Sequence, residues 1–156
     1  MLPSPELNRT NVNIFEPIFT NSLLQIICVK SGISKDIKAI RITNFITRHM
    51  WDVKLKIYDE LVAKCPRFRR SGKTLPYTSA NGYMFSTLNK AGQLGIRFSK
   101  ATQEKYIREL NTTYFKSYGA VLEGYVLIPD EMLNDLDNLA NYLNESYDYI
   151  MSLEPK

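Results

Sequence analysis

Tyr83-Met84-Phe85-Ser86-Thr87-Leu88-Asn89-Lys90-Ala91-Gly92-Gln93-Leu94-Gly95-Ile96-Arg97-Phe98 is the stretch that decides the fold. Two short runs of aromatic and aliphatic residues flank Asn89-Lys90-Ala91-Gly92, a four-residue loop ending in the glycine such loops favour. Pairing Leu88 with Gln93 sets Tyr83 against Phe98, Phe85 against Ile96 and Thr87 against Leu94. One face of this hairpin is then apolar throughout and meets a core. Met84, Ser86, Gly95 and Arg97 fall on the other face.

Outward from the hairpin, helices alternate with further extended pieces. On the N-terminal side, Asp52 caps a helix running to about Cys65, with Ile57, Tyr58, Leu61 and Val62 recurring on one face until Pro66 stops it. A basic stretch, Arg67-Phe68-Arg69-Arg70, leads through Gly72 into a loop, Thr74 to Gly82, that holds Pro76 and the Asn81-Gly82 turn signal. Any strand there is short. On the C-terminal side, Ser99 caps a helix to about Leu110 with Tyr106, Ile107 and Leu110 inward, ended by Asn111-Thr112-Thr113. Gly119 and Gly124 bracket a second β pair that includes Val126-Leu127-Ile128. Pro129-Asp130-Glu131 opens the last helix with carboxylates at its positive end, and Leu136, Leu139, Ala140, Leu143, Tyr147 and Ile150 form its buried stripe. The expected fold is α+β in two layers, an antiparallel sheet with helices on one face, in the order helix, three strands, helix, two strands, helix.

The chain has 156 residues, 44% hydrophobic and 23% charged, a balance that suits one globular domain and excludes collagen-like, coiled-coil and disordered chains. Composition changes near Met50: all ten tyrosines lie beyond it, and nine isoleucines lie before it. Residues 50–156 are expected to form the functional domain and residues 1–49 an accessory extension, arising from an upstream start codon. The competing reading is a helical arm, because Phe15, Phe19, Leu23 and Ile27 are spaced four apart. The apolar run Leu23 to Val29 is too short to span a membrane and lacks the flanks of a signal peptide, which points to the cytoplasm and no membrane partner. Cys28, Cys65 and the single His49 make neither a zinc pattern nor a disulfide framework, so no metal or cofactor is expected.

Catalytic motifs are weak. Ser71-Gly72-Lys73-Thr74 resembles the end of a phosphate loop, but Arg67 stands where the first glycine belongs and Leu75-Pro76 follows in place of a helix. Cys65 has no histidine partner inside the domain and reads as a buried hydrophobe. The carboxylates of the last helix suit a solvated face, and Tyr58, Tyr106 and Tyr147 fall on core stripes. No enzyme is expected. Charge distribution says more: residues 53–116 hold thirteen basic and four acidic residues, whereas residues 129–156 hold one basic and seven acidic. The two segments can neutralise each other or present two unlike faces.

Gly72-Lys73-Thr74, Pro76-Tyr77-Thr78-Ser79, Asn81-Gly82, Met84-Phe85-Ser86, Leu94, Ile96-Arg97-Phe98 and Val126 to Glu131 together resemble the TfoX/Sxy N-terminal-domain family, here as a small stand-alone bacterial member. The resemblance spans roughly residues 51–153. It implies a sheet with helices on one face, similar to secretion-chaperone-like folds, and a regulatory domain acting through protein contacts linked to transcription. The Met-Phe-Gly-Gly turn of the competence regulators is replaced by Ser71-Gly72-Lys73-Thr74, and the chain ends without their second domain, so a role in competence is not expected.

The functional expectation is therefore a non-catalytic interaction domain, monomeric or weakly dimeric, that binds a protein partner through Lys64, Arg67, Arg69, Arg70 and Lys73, flanked by Tyr77. Five cations within ten residues repel unless something acidic lies close. The first alternative is direct nucleic-acid binding by the same cluster. The second is an anionic ligand held by the hydroxyls and amides of Thr74, Thr78, Ser79, Asn81 and Gly82.

Overall fold

The computed structural model describes residues 35–156. The chain divides into two compact units, residues 1–43 and 44–156. The helical arm considered for Phe15 to Ile27 lies outside the described residues. In chain order the elements are helix α1 (Lys35–Ala63), strands β1 (Arg70–Ser71), β2 (Tyr77–Ala80), β3 (Tyr83–Leu88) and β4 (Leu94–Arg97), helix α2 (Lys100–Glu109), strands β5 (Tyr114–Ser117) and β6 (Ala120–Leu127), a 3-10 turn (Asp130–Asn134), and helix α3 (Leu136–Met151). The fold class is α+β, as expected. The strands form one antiparallel sheet ordered β1-β2-β3-β4-β6-β5, so β6 inserts between β4 and its own hairpin partner.

Two starts differ from the sequence reading. Asp52 caps nothing, because α1 begins at Lys35 and passes through it. Pro129-Asp130-Glu131 opens only the 3-10 turn, and α3 starts after Asp135, whose carboxylate accepts the Asn138 N–H. By contrast Ser99 caps α2 as expected, its Oγ accepting from the Thr102 amide. The short β1 is an addition, and Gly124 lies within β6 instead of bounding it. Asn81 and Gly82 both have positive φ (53° and 80°), the pairing that a two-residue turn between β2 and β3 requires.

The hairpin's register is shifted by one residue from the expected one: Leu88 faces Leu94, Thr87 faces Gly95 and Ser86 faces Ile96. Asn89 accounts for the slip. Its Oδ1 accepts from the Ala91 and Gln93 amides, and its N–H donates to the Gln93 carbonyl, so Gln93 belongs to a five-residue loop. The shift turns Ser86 toward the helices, where Tyr58 Oη lies 2.6 Å from its Oγ, and turns Thr87 away. Phe85 nevertheless reaches the core. Between Thr78 and Ser79 the β2–β3 register slips, leaving Phe85 as the extra residue of a β-bulge, and its ring packs edge-on against Phe68.

The main core lies between the sheet and the helices. Tyr58, Leu61 and Val62 from α1, Cys65 just beyond it, Tyr106 from α2, and Leu139, Leu143 and Ile150 from α3 pack with Phe85, Leu88, Leu94, Ile96, Phe98 and Val126. Ser146 Oγ fastens α3 to the sheet by donating to the Arg97 carbonyl at 2.5 Å, with the Phe85 carbonyl at 3.3 Å. On the opposite face lies a smaller apolar site, where the buried Phe115 ring lies directly against Gly95 and beside Tyr125.

Candidate partner-binding surface

The helix preceding Pro66 delivers the basic cluster to the edge of the sheet, and the acidic last helix meets part of it. Lys64 Nζ donates to Asp137 at 2.7 Å, and Arg67 donates to Asp148 at 2.5 Å while its guanidinium lies 4.3 Å from the Tyr147 ring centroid. Arg70, half-buried in β1, pairs with Asp59 of α1 and donates to the Gly72 carbonyl. These contacts are the internal neutralisation that the split in charge allowed, extended by Lys54 to Asp130. Asp148 is held below the usual carboxylate range by its hydrogen bond from Arg67, and Lys64 is raised by Asp137. The Lys64–Asp137 and Arg67–Asp148 pairs are exposed on both sides, so each adds little to stability.

Arg69 and Lys73 are different. Both are exposed, and among the described residues neither makes an ion pair. Tyr77 is half-buried in β2, pairing with Ser71 on one side and Thr87 on the other. The residues of the expected cluster therefore do not act alike: three carry intrachain partners and two remain available.

The Thr74 to Gly82 segment is likewise dispersed. Thr78 is fully buried, its hydroxyl 2.5 Å from Ser86 Oγ in a chain that continues to Tyr58. The Asn81 amide donates to the carbonyls of Ile150 and Leu153, and the Lys156 N–H donates to the Asn81 carbonyl, so this turn fastens the end of α3. A Cβ at Gly82 would come within 2.7 Å of the Lys156 side chain. Thr74, Ser79 and Gly82 stay exposed, but Thr78 is buried and Asn81 is committed to α3, which leaves this loop without the convergent donors an anion needs.

Cys65 is 1% exposed between α1 and α3, with the Asn144 amide at 3.6 Å from its sulfur, and burial pushes its thiol up. It is packed as a hydrophobe. Among the described residues no group of three or more His, Cys, Asp and Glu side chains is placed to hold a metal ion. No helix of the described residues is long and apolar enough to cross a membrane.

One surface escaped the sequence reading. Along α1, Phe45, Ile46, His49, Met50 and Val53 recur at helical spacing, and Phe45 (72%), Met50 (59%) and Val53 (47%) are strongly exposed. Every residue from Thr43 to Met50 is exposed, whereas beyond it α1 packs on the core through Trp51, Leu55, Ile57, Tyr58, Leu61 and Val62. Phe45 and His49 stack with their rings 5° from parallel. The signal was present as i, i+4 spacing, but a boundary drawn at Met50 cuts through it. No protein-family model, curated protein or solved structure matches the chain.

Proposed function

We propose that this chain works by binding, as an interaction domain of the kind the TfoX/Sxy resemblance implies, and that its partner is a protein. The observation that carries the reading is the bare apolar stripe Phe45, Ile46, Met50 and Val53 on α1. A run of large apolar side chains at i, i+4 spacing on an exposed helix is costly to leave wet and fits an amphipathic partner helix. Arg48 and Lys56 stand three residues beyond Phe45 and Val53, exposed and without ion pairs among the described residues. The favoured partner therefore carries acidic residues beside its apolar face. Arg69 and Lys73 add a second basic contact at the sheet edge and are the feature that favours the alternative, direct binding of nucleic acid.

The test is a pull-down with the full chain, repeated after nuclease treatment, using Phe45→Ser/Met50→Ser and Arg69→Glu/Lys73→Glu proteins in parallel. A nuclease-resistant protein partner, lost with the stripe variant and retained with the charge variant, supports the reading. A partner lost only with the charge variant moves the site to the sheet edge. Material that disappears with nuclease refutes a protein partner.

A further inference from the structure

The loop between β3 and β4 and the turn between β5 and β6 meet around a cavity of about 350 Å³, where Asn89, Lys90, Gln93, Lys116, Ser117 and Tyr118 come together. Asn89 holds the two connections in place. Its Oδ1 accepts from the Ala91 and Gln93 amides within the loop, while its Nδ2 donates to the Gln93 side chain at 2.9 Å and to the Lys116 carbonyl of β5 at 3.0 Å. The Trp51 indole donates to the Asn89 carbonyl and ties the same loop to α1. The cavity therefore has a fixed frame.

Three observations point to what it holds. Ser117 is only 9% exposed, yet its hydroxyl makes no hydrogen bond among the described residues. Its oxygen is not sealed from solvent, and the space that Ser117 lines is this cavity, so a mostly buried donor is left for whatever enters. Second, the charge there has one sign: Lys90 comes from the loop and Lys116 from β5, and no carboxylate lines the cavity. Third, the Tyr118 ring stands at the same place, 75% exposed and 5.6 Å from Lys90 Nζ. Tyr118 and Gly119 form the turn with φ of 52° and 81°, a conformation that asparagine and glycine adopt with less strain, so the backbone gives no reason for a tyrosine. A simple cation would meet two ammonium groups. An inorganic anion would use the lysines and the hydroxyl but leave the ring and most of the volume unused.

We propose that this cavity binds a nucleoside monophosphate, its phosphate held by Lys90, Lys116 and the Ser117 hydroxyl and its base stacked on Tyr118. The phosphate oxygens supply the acceptor that the Ser117 hydroxyl lacks, and any base presents a flat face to the tyrosine ring. The volume lies at the small end of the range for ligand pockets, which suits a mononucleotide. The site shares no residue with the α1 stripe, so it stands or falls apart from the protein partner proposed there.

The experiment follows the backbone amides of Ala91, Ser117, Tyr118 and Gly119 in the full chain by nitrogen-15 NMR during titration with AMP, GMP, CMP and UMP, with inorganic phosphate and the four nucleosides as the separated halves. The expected result is saturable movement of amides on both connections with at least one monophosphate, each half binding about tenfold or more weakly. Ser117→Ala should weaken that binding about tenfold, and Lys116→Gln, at an exposed position, should weaken it several-fold with an unchanged melting temperature. Tyr118→Gly suits the positive φ, keeps the turn and should bring the nucleotide down to the affinity of phosphate. Absence of saturable movement with all four monophosphates overturns the proposal. So does inorganic phosphate binding as tightly as the best nucleotide, which means an adventitious ion only, a nucleoside binding as tightly as its monophosphate, or nucleotide binding indifferent to Ser117→Ala.

Discussion

Gly95 and Phe115 offer a measurement of how tightly the second face of the sheet is packed. A Cβ added at Gly95 would lie 2.5–2.7 Å from three ring atoms of Phe115, a side chain that is 0% exposed. Carbon atoms rest at about 3.5–4.0 Å, so the ring must withdraw by about 1 Å in a site closed to solvent. Overpacking of this kind costs about 1–3 kcal/mol, offset by the ~0.5–1 kcal/mol gained when glycine leaves a strand interior. Gly95→Ala should therefore destabilise, while Phe115→Ala should cost about 3–5 kcal/mol by leaving a void. In the double variant the new methyl occupies part of that void, so the combined loss falls short of the sum by about 1–2 kcal/mol. Urea unfolding of the four full-length proteins gives all the terms of this cycle. A Gly95→Ala protein as stable as the wild type, or losses additive to within about 0.5 kcal/mol, would refute the claim that the ring rests on the glycine.

Phe85→Ala should cost about 3–5 kcal/mol in the same assay, because the bulge delivers its ring to the main core; a loss under about 1 kcal/mol would place it elsewhere. In the Tyr58, Ser86 and Thr78 chain, Ser86→Ala strands two buried hydroxyls and should cost about 1–3 kcal/mol, more than Tyr58→Phe, which leaves Ser86 bonded to Thr78; the reverse order contradicts the network. Asp148 has a folded pKa depressed by Arg67, so its contribution is present above the unfolded value of about 3.9 and disappears as pH falls through the folded value. The melting-temperature gap between the wild type and Asp148→Asn should accordingly be full above the unfolded value, narrow as pH falls beneath it and close once Asp148 is protonated in the folded protein, and a gap that does not narrow with falling pH means the carboxylate is not the cause.

The hairpin and the existence of the three helices of the described fold were legible because apolar periodicity is local, and one cap, Ser99, was legible with them. What failed was nonlocal or depended on a single side chain. The register was misread because Asn89 closes the loop through its own amide, drawing Gln93 out of the strand, and because nothing in Met84-Phe85-Ser86 announces a bulge. Asp52 looked like a cap, but a helix that already runs from Lys35 has no use for one there. For the basic cluster, composition revealed that an acidic partner existed in the last helix, yet only the fold determined that Lys64 and Arg67 meet it and that Arg69 and Lys73 do not. The α1 stripe is local and was readable. It was missed because Asp52 was read as the start of the first helix, whereas α1 already runs from Lys35 and carries the stripe ahead of that point.

The two outer strands of the sheet have consequences for how this protein behaves when crowded. An open sheet offers its unpaired backbone groups to any passing chain, and long flat edges seed fibrils. Here one border is a strand of two residues that bears Arg70, and the other, Tyr114–Ser117, is only four residues long, carries Lys116 and is broken by the irregular pairing at Tyr114. Neither border presents enough regular ladder for a second copy to continue the sheet. At high concentration, self-association by strand addition is blocked at both ends, and light scattering should report loss of soluble protein only after unfolding exposes the longer inner strands.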